Sequence, residues 1–177
     1  NKTLVKQISQ DIKSGNIAYN INKPYHYVFY IIAKHFGEIT IKFIAFAIIG
    51  ILLGVVFVGP IQSFDFENLP FVVITVILGV LINSVLRVAI SLISFWIEDS
   101  TPFHWVYDKL ILVIGTIFPV EMFPELIRPI IQCTPIFVVT YGPAKLLIDF
   151  SMVKLMQVLV AQIIYLIITF ALVLIMY

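Results

Sequence analysis

The chain has 177 residues, 61% of them hydrophobic and 12% charged, with a net charge of +1. A soluble domain carries about 25% charged residues; half that share, at a mean hydropathy of +1.08, excludes an ordinary soluble enzyme or binding module. The near-neutral balance gives no nucleic-acid signal, and the single cysteine, Cys133, excludes an intrachain disulfide framework or a Cys-rich metal site.

Residues 1–38 are the one polar part. They hold Lys2, Lys6, Lys13, Lys23 and Lys34 against Asp11 and Glu38. A helix needs about 20 apolar residues to cross a hydrocarbon layer about 30 Å thick. The stretch ITIKFIAFAIIGILLGVVFVG, 39–59, supplies the first span. The loop after it carries Asp65 and Glu67 but no Lys or Arg. Positive residues stay on the cytoplasmic side, so residues 1–38 are expected inside the cell.

A second span covers about 70–97. At 1.5 Å per residue it reaches about 42 Å, longer than the bilayer core, so it tilts or extends into the cytosol. A turn with Glu98 and Asp99 leads to a third apolar run, about 105–119, which meets Pro119. The last span is about 152–177. The expected fold class is all-α, polytopic membrane protein, with four transmembrane helices and both ends inside.

Between the third and fourth spans lie five of the nine prolines: Pro119, Pro124, Pro129, Pro135 and Pro143. Proline lacks a backbone donor and disrupts the preceding helical turn. Irregular backbone at membrane depth survives only inside protein or beside water. Pieces such as MFPELIR and RPIIQCT are apolar enough to enter the membrane and too short to cross it. Residues 120–148 therefore read as a re-entrant or interfacial helical hairpin, with Glu121, Glu125 and Arg128 at its surface. One continuous, badly kinked span is the alternative.

The segment IGTIFPVEMFPELIRPIIQCTPIFVVTYGPAKLL, 114–147, resembles a signature of the permease subunits of ABC-2 type ABC transporters. Gly115, Pro119, Pro124, Pro135, Phe137 and Pro143 occupy the matching places. IKSGNIAYNINKPYHY, 12–27, is similar to the segment before the third span in that family, through Gly15 and Lys23–Pro24. The resemblance implies six spans, a cytoplasmic coupling helix between spans two and three, and a re-entrant helical pair before span six. It maps this chain onto the C-terminal four spans, and the start at Asn1 fits a piece of a longer protein. It also implies a separate ABC ATPase subunit holding ATP and magnesium, a second permease copy or homologous permease, and a surrounding of membrane lipid. No cofactor is expected in this chain.

On that reading Lys13, Gly15, Tyr19, Lys23, Pro24 and Tyr25 form an ATPase-coupling surface. Gly15 allows a backbone reversal, and exposed tyrosines anchor in a groove. The plainer reading is an amphipathic segment resting on anionic lipid. Asn83, Arg87 and Ser91, four residues apart, continue a spacing that includes Thr75 and Gly79. They are expected at a pathway or subunit interface; otherwise Arg87 snorkels to the inner interface and Asn83 bonds another helix. Gly50 and Gly54 form a G-x-x-x-G that lets two helices approach closely. Gln157 and Gln162 read as interhelical hydrogen-bonding groups. Trp96, Trp105 and Tyr107 read as an interface belt.

No catalytic constellation is present: no P-loop, no G-x-S-x-G and no H-E-x-x-H. His26, His35 and His104 share no metal-ligand spacing. The expected function is the permease of an ATP-driven exporter, not an enzyme. The alternatives are a non-transporting scaffold subunit, or an ion-coupled secondary transporter, which would place an acid or His at mid-membrane. Apolar spans with few polar groups suit an amphiphilic substrate.

Overall fold

Four of the prolines in this chain stand in the first turn of a helix. A proline at the first turn loses no hydrogen bond, because the first N–H groups of a helix have no partner within it. The computed structural model describes residues 8, 10–11, 13–24, 26–57, 59, 66–97 and 99–176. Among them Pro70 opens α3, Leu69–Leu92, and Pro102 opens α5, Thr101–Leu112. Pro129 opens α6, Arg128–Gln132, and Pro143 stands in the first turn of α7, Gly142–Ile148. The remaining helices are α1, Asn16–Ile21; α2, Tyr27–Phe57; α4, Ser94–Ile97; and α8, Met152–Met176. No strand occurs among the described residues.

Among the described residues, three helical stretches are long and apolar enough to cross a membrane: α2, Leu69–Ile97 and α8. The expected third span at 105–119 is a shorter element. It consists of the twelve residues of α5 and a π turn, Val113–Ile117, together about 25 Å long. Helix α2 starts twelve residues earlier than the first expected span. Its buried residues Tyr27, Val28, Ile31, Ile32 and His35 repeat at helical spacing, so the polar start of the segment is already an amphipathic helix.

Helix α3 is the centre of the bundle and packs most extensively on α8. Val72 of α3 meets Leu155 and Val158 of α8 in one cluster. Val85, Val88 and Leu92 share a second cluster with Val173. Start meets start and end meets end, so the two helices run parallel. Helix α2 joins the second cluster through Tyr27, Val28, Ile31 and Ile32, antiparallel to α3. Beyond His35 none of its residues is buried among the described residues, and its large apolar side chains from Ile41 to Phe57 are exposed.

Helices in lipid associate through close packing and hydrogen bonds, since the tails are as apolar as leucine. Small residues mark those contacts. A Cβ on Gly79 would lie 2.8 Å from the Val139 carbonyl oxygen, and one on Gly142 would lie 3.2 Å from Val158. Gly115 sits against Ile136 and Thr140. Gly50 and Gly54 differ: a Cβ at either meets no atom within 4 Å among the described residues.

Candidate functional site

One end of the bundle carries a folded N-terminal segment. Gln10, Asp11 and Lys13 are helical, and the Ser14 hydroxyl donates to the Gln10 carbonyl at 2.7 Å. Gly15 then turns the chain with φ +73° and ψ −1°, and α1 follows. That backbone is left-handed, which glycine adopts without a Cβ penalty. Asp11 ties the two limbs together, accepting from Asn20 Nδ2 at 3.2 Å and from the Tyr27 hydroxyl at 2.9 Å. Ile8 is fully buried among Val28, Ile31, Val85, Val88 and Leu92, and Ile17 packs on the same cluster.

The opposite face of this segment is open. Tyr19 is 72% exposed, and Lys23 Nζ stands 5.1 Å from its ring centroid. Lys13 and Pro24 are exposed. Tyr25 lies outside the described residues. The turn before α5 is at the same end. Asp99 accepts from the Thr101 hydroxyl at 2.6 Å and its N–H at 2.9 Å. These bonds hold the Asp99 carboxyl below its ordinary range, with a smaller contribution from Lys13.

Immediately inside that end lies a buried polar cluster on α2, α3 and α5. Arg87 Nη2 donates to Asp108 Oδ1 at 2.7 Å, and the guanidinium lies 5.1 Å from the Tyr107 ring centroid. The Tyr107 hydroxyl donates to Asn83 Oδ1 at 3.0 Å. The Ser91 hydroxyl donates its one hydrogen to the Arg87 carbonyl at 2.8 Å. Its 2.9 Å contact with His104 Nε2 therefore has the imidazole N–H as donor. Ser94 donates to Ser100 at 2.8 Å and closes the turn. Arg87, His104 and His35 are each 5% exposed or less. Both ring nitrogens of His35, Nδ1 of His104, and Nε and Nη1 of Arg87 have no protein partner among the described residues.

Asn83, Arg87 and Ser91 thus share one site. Arg87 does not reach outward but pairs inside the protein. Tyr107 is 8% exposed and serves this cluster rather than an interface belt; Trp96 and Trp105 are exposed. Sequence reading missed Asp108, His104 and His35 as members. The signal was available for two of them: Tyr107 and Asp108 follow His104 by three and four residues, the spacing of one helical face.

At the far end, residues 119–148 leave and return. Glu121 accepts from the Tyr141 hydroxyl and pairs with Lys145. Arg128 donates to the Phe123 carbonyl at 2.8 Å and the Glu121 carbonyl at 2.9 Å. Between these, Cys133 reaches Tyr165, whose hydroxyl donates to its carbonyl, about 20 Å along α8 from Met152. The return limb runs from Pro135 through a π turn, Phe137–Tyr141, into α7 without a break. It is longer than the one or two turns that the proline spacing predicts.

The π turn explains how Pro143 is absorbed. Its bonds run from residue i+5 to residue i, and Gly142 N–H donates to the Phe137 carbonyl. The next bond would need an N–H on Pro143, which has none. The Val138 carbonyl receives Gln162 Nε2 at 3.2 Å instead, and the same nitrogen donates to the Thr75 carbonyl at 2.8 Å. The first π turn has the same form. Phe118 N–H donates to the Val113 carbonyl at 3.1 Å, and Pro119 follows. Pro124, Pro129 and Pro135 lie between the two, outside either π turn.

No cluster of three or more His, Cys, Asp or Glu that could hold a metal occurs among the described residues. No curated protein and no solved structure matches the chain. The family described as "ABC-2 family transporter protein" matches residues 1–177. That family is a transport component of the membrane, not itself the catalyst, and implies an ABC system that typically pairs with an ATPase. With three apolar helices of spanning length and a family match over all 177 residues, this chain belongs to the ABC-2 family transporter proteins, as a membrane permease.

Proposed function

We propose that the chain forms the substrate pathway of an ATP-driven exporter, by pairing with a second permease and coupling to a separate ATPase subunit. ATP and magnesium are held by that partner. Residues 10–27, on the cytoplasmic side, are the coupling surface, with Lys13, Gly15, Tyr19, Lys23, Pro24 and Tyr25 as its contacts. The hairpin at 119–148 is re-entrant from the opposite side of the membrane and caps the pathway. The second permease covers α2 at Gly50 and Gly54.

One observation carries this reading. The segment that leaves Tyr19 exposed also buries Ile8 against the helices bearing His35, Arg87 and Ser91. A push on residues 10–27 therefore bears directly on α2 and α3. Their polar cluster with α5 is the element that changes partners as the permease halves rock between states.

The test is co-purification of ATPase activity with the native chain and with a Gly15→Pro, Lys23→Glu double variant, from gently solubilised membranes. Activity with the native chain that is lost in the double variant supports coupling through this segment. Absence of any nucleotide-hydrolysing partner would overturn it. The buried His104 and His35 favour one second reading, ion-coupled transport, because ionisable groups inside a helical bundle are the groups such transport needs. Uptake driven by a proton gradient in vesicles without ATP would establish that instead.

A further inference from the structure

The return limb of the hairpin and α8 leave a groove between them with two unlike ends. Its first part is a cavity of about 360 Å³ with Lys145, Lys154, Gln132 and Gln157 among its lining residues. Val138, Leu146, Val158 and Ala161 also line it. A second cavity, of about 410 Å³, continues from the first through the shared residues Gln157 and Ala161. Met156, Val160 and Ile164 line the rest of it, and Gln157 is its one polar residue. The groove therefore has a cationic head and an apolar tail.

The charge at the head is directional. Lys145 pairs with Glu121 and Lys154 with Asp149, yet neither acid lines the cavity. Each ammonium has three donors, and one carboxylate leaves two for an acceptor inside the groove. The length also fits. Lys154 to Ile164 is ten residues of helix, about 15 Å, which is half of a hydrocarbon core about 30 Å thick. A lysine near the start of a spanning helix lies at headgroup level, so the tail of the groove ends near the bilayer midplane.

We propose that this groove holds an anionic phospholipid of one leaflet, with its phosphate between Lys145 and Lys154 and one acyl chain along Met156, Val160 and Ile164. Gln157 stands at the junction, where its amide can bond the glycerol ester oxygens. This site is separate from the Arg87–Asp108 cluster and does not depend on which nucleotide-binding partner the permease has.

The test uses the full-length permease in vesicles, with a trace of phospholipid bearing a diazirine in one acyl chain. One arm carries the phosphatidylglycerol probe and the other the phosphatidylcholine probe, and labelled peptides are read by mass spectrometry. The expected result is severalfold more labelling of residues 156–164 by the phosphatidylglycerol probe. The exposed residues Val73, Ile74 and Ile77 of α3 are labelled equally by both. Lys145→Gln and Lys154→Gln each reduce the preference about fivefold. Ala161→Phe keeps both lysines and blocks the tail, so labelling at Ile164 falls. Equal labelling of 156–164 by the two probes in the native chain would overturn the proposal. So would labelling there no greater than on Val73–Ile77 of α3, the result expected if a second copy of the chain covers the groove. Both comparisons use the native chain and stand even where a variant fails to fold.

Discussion

The side chain of Gln162 stands in for the N–H that Pro143 lacks, donating to the Val138 carbonyl that the π turn leaves open. A missing backbone donor is thereby paired with a polar residue on another helix, 19 positions later in the chain. Gln162→Leu should leave two buried carbonyls, of Val138 and Thr75, with one donor fewer. A buried unsatisfied group costs about 1–3 kcal/mol, so thermal unfolding in detergent should occur several degrees lower. Pro143→Ala restores a backbone donor. The double variant should lose less stability than the sum of the singles; strict additivity would mean that the two residues do not act on the same carbonyl.

Arg87 is buried, while Asp108 is 48% exposed at its side chain. Removing one partner of a fully buried pair costs about 3–5 kcal/mol. The exposure of Asp108 lowers the expected cost of Asp108→Asn to about 1–3 kcal/mol. Arg87→Met combined with Asp108→Leu should recover most of it, because no buried charge then lacks a partner. Detergent-melting curves of the three proteins give the comparison. If transport is lost in the stable double variant, the pair serves movement as well as folding.

Glycines on the hairpin contact should be intolerant where those on α2 are not. Gly79→Ala places a methyl 2.8 Å from the Val139 carbonyl oxygen, and backbone cannot step aside as a side chain can. Overpacking of this kind costs about 1–3 kcal/mol. Gly50→Ala and Gly54→Ala meet nothing within 4 Å and should leave the stability of the isolated chain unchanged. If either α2 variant lowers the yield of paired permeases in a cross-linking assay, that helix contacts the second subunit.

Glu121 supplies a pH dependence at the far end. Hydrogen bonds from Lys145 and Tyr141 hold its carboxyl down at about 2, from an ordinary value of 4.5. Its folded-state value is depressed, so its stabilisation is complete above about 4.5 and is lost as pH falls through about 2. Solvent exposure of both partners keeps the effect small. Hydrogen exchange of residues 120–128 should quicken across that window in the native chain. Glu121→Gln should show the faster exchange at neutral pH already, with no further acid dependence below 4.5.

Much of the fold was legible because hydropathy reports what lipid demands. The spans at 70–97 and 152–177 coincide closely with helical stretches, since their apolar runs are long and hold one charged residue each, Arg87 and Lys154. The start of α2 was hidden by Lys34, His35 and Glu38, which read as a polar segment although Tyr27, Val28, Ile31 and Ile32 already mark one helical face. Proline spacing located the irregular region but underestimated its return limb. Helix propensity carries no term for i+5 bonding, and so no account of how Pro143 fits. Asn83, Arg87 and Ser91 were recognisable as a polar set on one helix. His104, Tyr107 and Asp108 share one helical face in the sequence, but nothing in it shows that this face meets Arg87 until α5 is laid against α3.

The parallel packing of α3 on α8 has a consequence for synthesis. The two helices begin 83 residues apart, so α8 leaves the ribosome well after α3. Until it arrives, the π turn has no donor for the Val138 carbonyl. A chain stalled before residue 152 therefore presents open backbone carbonyls to lipid, the kind of defect that membrane quality-control proteases can recognise. Biogenesis of this part of the permease therefore waits on a late step, the insertion of α8.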